Sequence, residues 1–70
     1  MIMNDTGVAF EMLYKEVFDE QGNVKACGRD RCKKLMWLAH KLDTDTDFGD
    51  PDIGRMNTEA MKALHAKLVG

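Results

Sequence analysis

The chain has 70 residues, which limits it to one domain spanning 1–70. Its 44% hydrophobic and 31% charged content is that of a folded globular protein and excludes a disordered one. A net charge of −2 argues against holding nucleic acid by bulk electrostatics, and no apolar run is long enough to span a bilayer. The amino terminus lacks a basic-then-apolar leader pattern, so a cytoplasmic protein with reduced cysteines is expected.

After a short lead-in, Asn4, Asp5 or Thr6 can cap a first helix of about 5–18. Phe10, Leu13, Tyr14 and Val17 form its apolar stripe at i, i+3, i+4 and i+7, with Phe18 at the edge. Val8 and Met12 fall on the opposite side. Either they are scattered surface residues, or that side carries apolar surface for a partner. Asp19 to Asn23 reads as a turn, since Gly22 and Asn23 tolerate a left-handed backbone. A short hairpin of Val17–Asp19 against Val24–Ala26 is a minor alternative there.

The second helix, about 28–42, is the most strongly patterned stretch. Cys32, Leu35, Met36, Leu38, Ala39 and Leu42 share one broad side, which predicts a core face. Through it this helix is expected to pack on both neighbours. Trp37 points nearly opposite, in a row with Lys33 and Lys41 at i, i+4 and i+8. Ordinarily another part of the chain covers so large an aromatic, and the lysine stems pack along it. The sharper alternative is an exposed indole framed by cations, suited to an acidic or helical partner.

Asp43 to Gly54 is an acidic loop punctuated by Gly49, Pro51 and Gly54. Asp43, Asp45 and Asp47 stand where an EF-hand loop begins. The pattern then departs: position six is Phe48 rather than glycine, and position twelve is Gly54 rather than glutamate. A divalent cation such as calcium on the Asp43–Asp52 loop is therefore an alternative. The plainer reading sets its five aspartates against the five cations between Arg29 and Lys41, each run neutralising the other. Phe48 and Ile53 are expected to pin the loop onto the bundle. Asn57 caps a third helix, about 57–69, whose stripe is Met61, Leu64, His65 and Leu68.

Cys27, Cys32, His40 and His65 lack the paired spacing of a zinc site. The cysteines read as small core residues, with a disulfide disfavoured by compartment. His65 reads as a core-edge residue and His40 as a surface one. The basic side of the second helix (Arg29, Arg31, Lys33, Lys34 and Lys41 with Trp37) could touch phosphates, but it lacks a helix-turn-helix frame and adjoins an acidic loop. No nucleophile–base spacing, phosphate-cradling loop or paired carboxylate points to an enzyme, and no cofactor is implied.

These residues predict a small all-α, three-helix domain with an acidic loop between helices 2 and 3. The function expected is a non-catalytic interaction or regulatory module, of the size of a small bacterial or phage accessory protein. Trp37, Lys33, Lys41, Val8 and Met12 are its candidate contacts with a protein partner or a second copy. The alternatives are cation binding through Asp43, Asp45 and Asp47, and nucleic-acid binding by the basic face.

Overall fold

A computed structural model describes residues 4–25 and 28–70. It shows three helices, α1 (Asp5–Val17), α2 (Arg29–Leu42) and α3 (Thr58–Val69), with a two-stranded antiparallel hairpin, β1 (Gly49–Asp50) and β2 (Arg55–Met56), inside the acidic loop. The expected all-α architecture holds, with helix ends within a residue of those read from the sequence.

Local chemistry sets each boundary. The Asn4 side chain accepts from the Gly7 amide at 2.8 Å and opens α1, and the Asn57 side chain accepts from the Ala60 amide at 3.2 Å and opens α3. Gly28 precedes α2 without a side-chain cap, leaving Asp30 to meet the positive first turn. After α1 the chain reverses at Asp19, whose carboxylate accepts from the amides of Gln21 and Asn23. Gly22 takes the left-handed backbone there (φ 82°). Of the hairpin considered for this turn, the described residues form one antiparallel bridge, Phe18 with Val24, with the Lys25 amide donating to the Val17 carbonyl at 2.9 Å; Ala26 lies outside the described residues.

The core is built from Phe10, Leu13, Tyr14, Val17 and Phe18 of α1 and its end, Leu35, Met36 and Ala39 of α2, Phe48 of the loop, and Met61 and Leu64 of α3. Leu38, Leu42 and Leu68 pack at its margin, half-buried, because they sit at the edges of their helical stripes. The helix lying closest to both others is α1, not α2 as expected. The loop explains the difference. Phe48 meets His40 of α2 edge-on (ring centroids 5.4 Å apart) and shares a small hollow with Ala60 and Leu64 of α3, so it occupies space where α2 and α3 would otherwise meet.

The loop is also tied down by polar contacts. His40 was expected on the surface. It is half-buried, and its Nε2–H donates to the Gly49 carbonyl at 3.1 Å. The Asn57 amide donates to the Phe48 carbonyl at 2.9 Å, and the Asn57 side chain donates to the Asp47 carbonyl at 2.9 Å. Ile53, expected to pin the loop, is instead 76% exposed at the hairpin tip, where the turn carries it away from the core. No helix among the described residues is long and apolar enough to cross a membrane.

Candidate functional site

Three features of the surface can do chemistry, and they lie on different elements. The first is the outward side of α2. Trp37 is 52% exposed there, which overturns the covered reading of its indole. Lys33, Lys34, Lys41, Arg29 and Arg31 are exposed as well. Among the described residues the ion pairs are Lys15–Glu11, Lys62–Glu59 and Arg55–Asp47. The cations of α2 take no part in them. Among the described residues, then, no ion pair joins the basic helix to the acidic loop. The loop carboxylate that is paired, Asp47, finds Arg55 within the loop, and the cations of α2 form no ion pair among the described residues. Val8 and Met12 are likewise exposed, on the side of α1 opposite its core stripe. Since α1 and α2 face each other through their core stripes, their outward sides turn away from one another. Val8 and Met12 therefore do not join the Trp37 row in one flat surface.

The second feature is the acidic loop. Asp43 accepts from the Asp45 and Thr46 amides (3.0 and 3.3 Å) and from the Thr46 hydroxyl (2.7 Å). The Thr46 hydroxyl, foremost, holds the Asp43 carboxyl below its ordinary range. Asp47 accepts from the Gly49 amide and from Arg55, and Asp50 from the Asp52 amide. These carboxylates shape turns instead of converging. No group of three or more His, Cys, Asp or Glu among the described residues is placed to hold a metal ion, so Asp43, Asp45 and Asp47 are not brought together as ligands. Cys32 is disulfide-bonded, against the expectation of a reduced thiol; Cys27 lies outside the described residues.

The third feature was not read from the sequence. A cleft of about 600 Å³ opens between the end of α1, the turn after it and α3. Its floor is an aromatic stack. Tyr14 lies against His65 (centroids 3.9 Å, 5° from parallel) and against Phe18 (4.4 Å, 16°), so these two rings cover opposite faces of the phenol. Lys15, Lys25 and Lys62 stand at its margin with the 19–22 turn. Burial raises the Tyr14 phenol above its ordinary range, and burial lowers His65 below its own, so both rings are uncharged at neutral pH. The Nε2 of His65 is buried with no hydrogen-bond partner among the described residues. The available signal was that Tyr14 and His65 both sit on apolar stripes while carrying polar tips. Their pairing joins the first helix to the last, so periodicity alone did not show it.

Comparison with protein-family models, with characterised proteins and with solved structures finds no match for this chain.

Proposed function

We propose that the protein is a non-catalytic interaction module whose outward α2 face docks an acidic protein segment. The observation that carries this reading is the half-exposed Trp37 set between Lys33 and Lys41, none of them neutralised within the described fold. An indole supplies large apolar contact area at little conformational cost, and flanking cations steer and orient a negatively charged partner. Burying the indole would strengthen the charge contacts by removing water around them. A protein partner is favoured over nucleic acid because the chain is net negative and its acidic loop follows directly at the end of α2, where it repels phosphates.

The test is affinity purification with the wild-type chain beside Trp37→Ala and the double variant Lys33→Glu/Lys41→Glu, with sedimentation to detect self-association. A protein retained by wild type, lost by both variants and released by salt supports the reading. A strictly monomeric chain whose retained proteins are the same with and without the indole overturns it. Retention of duplex or single strand in a low-salt gel shift, lost in the double variant, would assign the face to nucleic acid instead.

A further inference from the structure

We propose that the acidic segment received by the α2 face is the hairpin tip of a second copy, Asp50 to Gly54, in a reciprocal dimer; this rests on the docking reading above and names its partner. Two exposed surfaces of the one chain are complementary in charge and in apolar character. The face presents Trp37 between Lys33 and Lys41. The tip presents Ile53, 76% exposed and more so than any other large apolar residue described, beside Asp50 and Asp52. The Asp52 carboxylate enters no hydrogen bond or ion pair among the described residues, and Asp50 uses one oxygen on the Asp52 amide (2.9 Å) and keeps the other. The neighbouring Arg55 is matched by Asp47 at 3.2 Å, so the tip stays negative. Asp30, the one anion of α2, sits in its first turn, ahead of the Trp37 row.

The tip does not fold back on its own α2. Buried Phe48 and the bonds from His40 to Gly49 and from Asn57 to Phe48 fix the base of the hairpin, while Trp37 and Ile53 both remain open to water. A tip held in this way loses little freedom when it docks on another molecule. The dimensions agree. Lys33 and Lys41 stand about 6 Å up and down the helix axis from Trp37. The ends of a four-residue turn lie within about 7 Å of each other. Ile53 set on the indole therefore brings Asp50 and Asp52 within reach of the flexible lysine stems. One tip on one face is a small contact beside the roughly 1,200–2,000 Å² of a standard interface. A two-fold pairing makes the contact twice and leaves neither patch open on either copy. The dimer is accordingly weak and forms only in concentrated solution, and the dilute chain keeps its indole exposed.

The test is sedimentation equilibrium of the full chain over a concentration series reaching about 1 mM. A monomer–dimer equilibrium weakened by salt is expected, with Trp37 emission moving to the blue as the dimer forms. Trp37→Ala and Ile53→Ala remove exposed surface and leave the fold standing, and each should weaken association about tenfold. Charge reversal identifies the pairing. Lys33→Glu/Lys41→Glu reverses the face. Asp50→Asn/Asp52→Lys reverses the tip while keeping an oxygen for the turn amide. Each variant alone should stay monomeric. Mixed, they should associate, because reversed face then meets reversed tip and native face meets native tip. A wild-type chain monomeric throughout the series, a dimer indifferent to both Trp37 and Ile53, or a mixture no more associated than its components overturns the proposal. A monomer that still retains an acidic protein through Trp37 overturns the second copy as partner and leaves the docking reading standing; one that retains nothing through Trp37 removes both.

Discussion

The imidazole of His65 lies face to face with the phenol of Tyr14, 3.9 Å between centroids, and joins the first helix to the last across nearly the whole chain. The contact favours an uncharged ring, because burial is the foremost influence on His65, ahead of the opposing Glu11 and the reinforcing Lys15. The sign of its pH dependence follows. The unfolded chain takes up a proton at about 6.5, whereas the folded chain resists until a lower pH. Stability is therefore highest above about 6.5, falls as pH drops toward the folded-state value, and levels off below it. His65→Phe should be within about 1 kcal/mol of wild type at neutral pH, since it removes an unpaired polar atom while keeping a flat ring. It should also lose the slope in that window. Denaturant unfolding at a series of pH values checks both, and an unchanged slope in the variant would remove His65 as its source.

Three glycines with positive φ separate backbone strain from crowding. Gly54 (φ 75°) has open space around it, so Gly54→Ala should cost only the left-handed penalty, about 1 kcal/mol. Gly22 (φ 82°) adds contact with the flexible Lys62 stem, which can move, so Gly22→Ala should cost about 1–2 kcal/mol. At Gly49 (φ 111°) an added β-carbon would run into the Arg55 carbonyl and the Met56 backbone across the hairpin. Gly49→Ala should cost roughly 3 kcal/mol or more and open the hairpin. Thermal melts of the three variants give the order, and a Gly49→Ala chain as stable as Gly54→Ala would contradict the hairpin geometry.

The two sides of α2 make opposite predictions. Leu35 is fully buried, and Leu35→Ala should cost about 2–5 kcal/mol. Trp37→Ala should cost less than about 1 kcal/mol despite removing the larger side chain, because half of the indole already faces water. Trp37 is the only tryptophan, so its emission reports the environment directly: it should be red-shifted and readily quenched by acrylamide. Blue-shifted, protected emission would mean that the indole is covered and the docking face does not exist.

The helices were legible because each core stripe repeats with the helical period and the first and third starts carry a capping residue, Asn4 and Asn57. Phe10, Leu13, Tyr14 and Val17 needed no partner to be recognised as one face. What could not be read was which element fills the gap between α2 and α3. Phe48 and Ile53 look alike in sequence, as single bulky apolar residues among aspartates and glycines. Their fates were set by contacts the local sequence does not encode, namely the His40 ring beside Phe48 and the four-residue turn that lifts Ile53 outward. The same limit applies to the cleft, since Tyr14 and His65 are brought together only by the packing of α1 on α3. The five aspartates were visible, but their hydrogen-bond targets were not. Asp43 and Asp50 turn to amides of their own loop and Asp47 to Arg55, so among the described residues none of them forms an ion pair with Lys33 or Lys41.

The contrast between Phe48 and Ile53 tests whether the acidic loop is part of the fold or an appendage. Phe48 is buried against α2 and the start of α3, and the loop's hydrogen bonds to His40 and Asn57 converge on its neighbours. Phe48→Ala should cost about 3–5 kcal/mol, a large share of the stability of a domain this small. Because Phe48 also backs the His40–Gly49 bond, amide exchange in β1, β2 and the first turn of α3 should accelerate together. Ile53→Ala should change stability by less than about 0.5 kcal/mol and leave exchange unaltered, since it removes only exposed surface. Denaturant unfolding and hydrogen exchange on the two variants decide the matter. Equal, small effects would show a loop that hangs free of the core, and the separation of α2 from α3 would then need another cause.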